Sequence, residues 1–321
     1  MATISGEVRD DAGDLVADVV VRAYRRDTGA LLVSGLSGDG SEEVPGDADW
    51  DDVVLLLHFD GTDGSTTFTD SSGTPKTITA GGNAHIEADQ VKYGDASGAF
   101  DGTGDYLRIP YESAFDLGAG DFTIEAWVYV TAYRSDTAHI CGTYTYGAVD
   151  GGTNNAGWQF GITSAGKLKL TWGANSAPID IVTSSGAVGL NAWKHVCAVR
   201  SGTTVKLYIN GANDGTATYG TNIAFTKSYF YVGSYNRSGT PYGAVVSFAG
   251  YMDELRLTVG TARNTTDFTV PDAAFIEGTI PAKPLGEYTL TTAYTGEVQV
   301  TALDPAGGTT FNDLILRTTP V

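Results

Sequence analysis

The chain has 321 residues, more than one small sandwich needs and enough for two domains. Charged residues make up only 18% of it, and 42 Gly, 17 Tyr and 12 Phe are spread among short apolar runs broken by Gly, Asp, Asn and Ser; this excludes a helical bundle and implies an all-β protein of short strands. A net charge of −19 excludes binding along a phosphate backbone or an anionic membrane surface, and no run of about 18 apolar residues is present to span a bilayer.

The amino-terminal "MATISGEVRDDAGDL" has neither the basic stretch nor the apolar core of a signal peptide, so synthesis and folding in the cytoplasm are expected. Strands are expected at Thr3–Arg9, Val16–Arg25 and Ala30–Gly35. In "LLVSGLSGDG" (31–40) the third strand runs into a tight turn, yet the next residues, "SEEVPGDADWDD", are acidic, non-alternating and linker-like. The same strand character returns at the far end. "GEYTLTTAY" alternates, "EVQVTAL" puts Val298, Val300 and Ala302 on one face, and "FNDLILRTT" supplies a last strand. Each terminal piece is about 40 residues, near the lower limit for burying enough surface alone. Joined, they continue a hairpin interrupted at Gly40 and resumed at Gly286 or Glu287. The expectation is one discontinuous domain, about 1–45 plus 282–321, carrying an insert of 46–281 at an exposed turn, where insertion is best tolerated.

The insert holds all five tryptophans, Trp50, Trp127, Trp158, Trp172 and Trp193. Its clearest strands are "VVLLLHF" (53–59), "FTIEAWVYV" (122–130), "KLKLTW" (167–172), "WKHVCAVR" (193–200), "TVKLYINGA" (204–212), "YFYVGSY" (229–235) and "YMDELRL" (251–257). In the second of these Phe122, Ile124, Ala126, Val128 and Val130 share one face, and Asn210-Gly211 is the strongest hairpin signal in the chain. About a dozen strands over this length fit a two-sheet jelly roll. Cys141 and Cys197 read as small buried hydrophobes on strands, with a disulfide between them left open by the spacing.

Several of these strings carry resemblances. "ISGEVRDDAGDLVADVVVRAYRRDTGALL" followed, after the gap, by "GEYTLTT" resembles the carboxypeptidase-regulatory-like, or transthyretin-like, β-sandwiches. "LLLHFDG", "GAFDGTGDYLRIP", "DFTIEAWVYV", "WKHVCAVRSGTTVKLYINGA", "FYVGS" and "GYMDELRLTVGTAR" follow, in order, the pattern of laminin-G-like, concanavalin A-like domains. That second resemblance implies two curved antiparallel sheets, calcium in many members, and carbohydrate or protein binding. The closing "FNDLILRTTPV" resembles the carboxyl end of modules in tailed-phage virion proteins.

The same jelly roll hosts glycoside hydrolases, which need two carboxylates about 5 to 10 Å apart facing the sugar. No Glu-x-Asp-x-x-Glu run occurs on a strand here. Glu87 and Asp89 fall in a turn-rich region, Glu125 is alone on its face between Thr123 and Trp127, and Asp253 and Glu254 are adjacent and so point to opposite faces of a regular strand. His58, His85, His139 and His195 lie in separate elements, and His195 matches a packing position of the laminin-G pattern. No catalytic residue is expected.

For calcium, hard oxygens from loops are needed. Asp60 in "HFDGTDG" and Asp253 are the first candidates, because the resemblance implies that the first and last strands of the insert are neighbours. Asp101 and Asp105 in "FDGTGDY" are the second. For a glycan, aromatic faces beside amides are needed. "CGTYTYGAVDGGTNNAGWQF" (141–160) offers Tyr144, Tyr146, Asn154, Asn155 and Trp158, and "GSYNRSGTPYGA" (233–244) offers Tyr235, Asn236, Arg237 and Tyr242, two loops that a laminin-G-like sandwich brings to one rim.

Taken with the resemblances, these residues predict a non-enzymatic phage virion surface protein. It is made in the host cytoplasm and present in several copies. The discontinuous sandwich docks on capsid or tail proteins, and the lectin-like insert contacts a host-surface glycan. A purely structural decoration protein and a tail-associated glycosidase or depolymerase stay open beside it.

Overall fold

The computed structural model describes residues 47–146, 157–174, 177–223, 229–237 and 247–278, together with the backbone of six further strands at 2–7, 20–25, 31–36, 287–292, 297–303 and 310–317. The chain divides into two compact units, Met1–Trp50 with Ile276–Val321, and Asp51–Phe275. Strands β1 (Ala2–Glu7), β2 (Val20–Arg25) and β3 (Leu31–Leu36) open the first unit. The second unit begins with β4 (Val53–Leu57), β5 (Thr79–Gly81), β6 (His85–Glu87), β7 (Ser97–Asp101), β8 (Tyr106–Pro110), β9 (Phe122–Val130) and β10 (Ala138–Gly142). It continues with β11 (Thr145–Tyr146), β12 (Gly157–Ile162), β13 (Lys167–Ala174), β14 (Ala177–Ala187), β15 (Trp193–Ser201) and β16 (Thr204–Ile209). Strands β17 (Ala212–Thr218), β18 (Tyr229–Val232), β19 (Asn236–Arg237) and β20 (Ala249–Val259) complete it, and β21 (Glu287–Thr292), β22 (Glu297–Leu303) and β23 (Thr310–Arg317) return to the first unit.

In the first unit, strands from both ends of the chain share ladders. β1 pairs with β21, placing Ile4 opposite Leu290, and a second sheet runs β23–β22–β2–β3. The resumed hairpin expected between β3 and β21 is replaced by a different pairing: β3 lies against β2 and β21 against β1. A Gly-Asp-Gly turn signals that the chain reverses but does not say which strand accepts it, and here the two strands flanking the excursion belong to different ladders.

The second unit is all-β, two antiparallel sheets facing each other across one core, an arrangement consistent with a jelly roll. One sheet runs β14–β13–β12–β10–β18–β8–β5, the other β17–β16–β15–β9–β20–β7–β6 with β4 also paired to β20. Alternation builds the core from both sides. Ile124, Ala126 and Val128 of β9, Val196 and Ala198 of β15, and Leu255 and Leu257 of β20 meet Phe160, Leu168, Leu170, Phe230 and Val232 of the other sheet, all fully buried. Each large aliphatic or aromatic side chain so buried contributes about 1.5–3 kcal/mol. The first and last strands of this unit are neighbours, Leu57 lying opposite Leu255.

Asn210 and Gly211 close the β16–β17 hairpin with φ of 51° and 77°, the paired left-handed geometry of a type I′ turn. A Cβ on Gly211 would overlap the Phe268 carbonyl, which accepts no side chain there, while the Phe268 N–H donates to the Gly211 carbonyl at 3.0 Å. Gly211→Ala is expected to destabilise the unit by more than the ~1 kcal/mol of an ordinary glycine replacement; an unchanged denaturation midpoint would contradict this packing.

Both cysteines are free and fully buried, Cys141 in the main core and Cys197 on the outer side of the opposite sheet with Val199 and Tyr208, so the disulfide left open by the spacing is not formed. Among the described residues no helix is long and apolar enough to cross a membrane.

Candidate functional site

The described parts of the two aromatic segments lie side by side. β11 and β19 pair in parallel, with Thr145 opposite Asn236 and Tyr146 opposite Arg237, and the Tyr144 and Tyr235 rings form an edge contact at 5.7 Å. Tyr144 and Tyr235 are themselves buried, packed with Ala138 in a small cluster beside His139. Burial holds the His139 imidazole down to about 3, offset only in part by the backbone of Tyr231 and Gly142, so the ring is neutral. Trp158 turns inward: it is 1% exposed, packs edge-on against Phe230 at 5.7 Å, and donates its indole N–H to the Phe115 carbonyl at 2.9 Å. Its place in the alternation of β12, with Phe160 and Ile162, assigns it to the core and withholds its face from a ligand. Tyr146, Asn236 and Arg237 are placed by backbone alone, and Asn154, Asn155 and Tyr242 lie outside the described residues.

The outer face of the β9–β15–β20 sheet is mostly covered, and it holds a buried ion cluster. Glu125 Oε1 accepts hydrogen bonds from Arg256 Nη2 at 2.6 Å and Nε at 3.0 Å, and its Oε2 lies 3.3 Å from His195 Nε2. Burial alone would raise the Glu125 carboxyl, but Arg256 and then His195 outweigh it and bring the value to about 2. The Arg256 guanidinium also lies 3.7 Å over the Phe275 ring. A carboxylate locked in this way is a fixed anion, unsuited to taking and giving protons at neutral pH.

Asp60 and Asp253 approach one another at the end of the β4–β20 pair. Asp253 is fully buried; its Oδ2 accepts the Lys92 and Tyr93 N–H groups at 3.0 Å each, while Oδ1 has no hydrogen-bond partner. Burial, Glu254 and Asp60 together push its carboxyl well up. Asp60, although part of its surface is open to solvent, is pushed up to about 7 by loss of hydration around its carboxyl and by the neighbouring Asp95 carboxylate, against the Asp95 N–H, which donates to Asp60 Oδ1 at 2.8 Å and favours the charged form. Asp253 and Glu254 do not alternate as in a regular strand. The β20–β9 register slips between Asp253 and Arg256, Glu254 has φ of 51°, and both acids are buried as a result. Glu254 is spoken for: Oε1 lies 2.7 Å from His58 Nδ1, and Oε2 accepts the Phe275 N–H at 2.7 Å. The unpartnered Asp253 oxygen beside other carboxylates is the observation that fits a hard, oxygen-liganded cation. No group of three or more His, Cys, Asp or Glu side chains gathers at ligating distance among the described residues, so backbone carbonyls or water would complete the shell. Asp101 and Asp105 form a turn clasp instead: Asp105 accepts the Asp101 and Asn83 N–H groups at 2.7 and 2.8 Å, and Asp101 accepts the Thr103 N–H at 2.6 Å.

Residues 101–264, just over half of the chain, match the model of the concanavalin A-like lectin/glucanases superfamily. The chain belongs to that superfamily. Solved structures similar to this concanavalin A-like chain include the binding domain of Paraclostridial Mosquitocidal Protein 1, 16% identical with a TM-score of 0.48 over 67% of this chain and 50% of that one. Domain 4 of AbnA, a GH43 extracellular arabinanase from Geobacillus stearothermophilus, in complex with arabinotriose, is 21% identical with a TM-score of 0.47 over 66% and 95%. The botulinum neurotoxin serotype C1 binding domain is 16% identical with a TM-score of 0.45 over 65% and 49%. The chain thus spans about half the length of the first and third of these. No curated protein matches the sequence.

Within the superfamily sandwich, the ion cluster at Glu125 was out of reach of sequence reading. Its partners come from β15 and β20, 70 and 131 residues away along the chain. One local signal existed. A glutamate at the centre of an otherwise apolar strand needs a buried cation, and "DELRL" supplies one.

Proposed function

We propose that the chain is a non-enzymatic surface protein of a tailed-phage virion, in which the concanavalin A-like unit adheres to a host-surface glycan. The observation that supports the reading is the parallel pairing of Thr145 and Tyr146 with Asn236 and Arg237, which joins two of the aromatic segments within a sandwich of this superfamily. The sequestered Glu125 supports binding over hydrolysis. The first unit, whose strands resemble transthyretin-like sandwiches and whose last strand lies in the phage-like "FNDLILRTTPV", is the dock onto capsid or tail proteins, in several copies per particle. Asp60 and Asp253 would hold calcium, which would neutralise their crowded carboxylates and fix the loop ends around them.

The intact 321-residue chain applied to a glycan array and to host cells is expected to bind saturably. Release of reducing ends from host polysaccharide on incubation would overturn the non-enzymatic reading, and the absence of saturable binding would leave the decoration protein as the better account.

A further inference from the structure

The outer face of the second sheet is covered over Glu125, His195 and Cys197, but one cross-strand row stays partly exposed at every member except Ala99, which is buried at its floor. His85, Ala99, Tyr251, Tyr129 and Trp193 are successive opposite neighbours across β6, β7, β20, β9 and β15. Five adjacent strands make a row of roughly 19 Å at the usual spacing of ~4.8 Å. Alternation aims these residues outward, since Ile86, Phe100, Met252 and Val128 beside them face the core. The Trp193, Tyr129 and Tyr251 rings touch edge to face at 5.8 and 5.9 Å, and all three remain partly exposed where Trp127, one step along β9, is buried.

At Ala99 the row dips, because a methyl group stands between an imidazole and a phenol. A cavity of about 190 Å³ opens there, with Asn83, His85, Glu87, Asp101 and Tyr251 in its wall. Its polar groups are already held. His85 Nδ1 lies 2.7 Å from the Asn83 carbonyl, Asn83 donates to Asp101 Oδ2 at 3.0 Å, and Glu87 Oε1 accepts the Asp89 N–H at 3.0 Å.

We propose that this row and cavity form a second carbohydrate site, for a neutral oligosaccharide, separate from the 144–146 and 235–237 rim. It rests on the reading of this unit as a glycan-binding domain. Partly exposed rings offer apolar faces to the C–H side of pyranoses, and the amide and carboxylates accept hydroxyl hydrogens. The length of the row suits several sugar units. Glu87, Asp101 and the net charge of −19 repel uronic, sialylated or sulfated sugars, which sets the class as neutral. A row of tyrosine and tryptophan serving only to stabilise the sheet needs no adjoining polar cavity.

The test uses the intact chain and hexasaccharides of glucose, mannose, xylose and arabinose, with an oligogalacturonide of the same length as the anionic control. Titration followed by tryptophan fluorescence and calorimetry is expected to show binding of at least one neutral hexasaccharide and none of the oligogalacturonide. Tyr251→Ala should weaken it roughly 3–10-fold, with Tyr251→Phe retaining it. Ala99→Gln, which fills the dip without removing a ring, should weaken it with an unchanged melting temperature. If Ala99→Gln and Tyr251→Ala fold and bind a neutral hexasaccharide as the parent does, the row is not the site, although the unit remains a glycan binder. Binding of a Lys/Arg-rich peptide that Ala99→Gln abolishes, with no neutral hexasaccharide bound, would overturn the proposal in favour of a protein partner. A parent chain that binds no glycan on the array or in titration overturns both readings together.

Discussion

Arg256→Ala is expected to lower the stability of the second unit by about 3–5 kcal/mol, a fall of roughly 6–20 °C in melting temperature. The cost arises less from the lost attraction than from what is left behind. Glu125, 1% exposed, would keep a charge with two of its hydrogen bonds gone and only His195 at 3.3 Å to answer it. The Phe275 ring would also lose the guanidinium packed on it. Two controls separate these effects. Arg256→Met with Glu125→Leu removes both charges and keeps apolar volume, and should recover most of the loss, as buried pairs replaced by well-packed apolar residues commonly do. The acid limb is the second control. Glu125 falls from its usual 4.5 to about 2 on folding, so its contribution is complete above pH 4.5 and disappears as pH drops towards 2. In Glu125→Gln that part of the acid slope should vanish. An Arg256→Ala protein as stable as the parent would show that the cluster carries no net weight.

That cluster marks the limit of what could be read in the chain. Alternation in "FTIEAWVYV" placed the core face residue by residue, and Asn210-Gly211 announced its hairpin, because both signals are local and have a single physical solution. Alternation does not tell whether the other face of a strand is wet. Here it is mostly covered, so Trp127 and Glu125, on the face opposite Ile124, Ala126 and Val128, are buried as well. Trp158 was misplaced for a related reason. It lies among Gly, Asn and Tyr, a loop-like neighbourhood, and only the pairing of β12 with β13, with Trp158 opposite Trp172, assigns it to a strand. The row from His85 to Trp193 could not be seen at all, since its members lie in five strands and are brought level only by register. The adjacency of Asp60 and Asp253 was foreseeable from the resemblance; the slip in β20 that buries Glu254 beside them was not, because a bulge leaves no fixed composition behind it.

Calcium at 100 times its dissociation constant is expected to stabilise the protein by about 2.7 kcal/mol at pH 8, raising the melting temperature by roughly 5–10 °C, with excess chelator reversing the shift. Asp253 Oδ1 is a buried carboxylate oxygen without a hydrogen-bond partner, beside Asp60. Both carboxyls are raised on folding, Asp60 from 3.8 to about 7. A raised carboxyl favours the folded state at low pH, where it is protonated, and that contribution is lost as pH climbs from about 4 through about 7. A divalent cation supplies above pH 7 the charge that protons supply below it, and protons compete for the same oxygens. The calcium shift should therefore be small at pH 5 and full at pH 8. Asp253→Asn separates the carboxylate from its shape. It removes the uncompensated charge, so the chelated variant should be more stable than the chelated parent at pH 8, yet gain little from calcium. An equal calcium shift at both pH values, or one that survives in Asp253→Asn, would place the ion elsewhere; no shift in the parent would mean that Asp60 and Asp253 meet their mutual repulsion with protons alone.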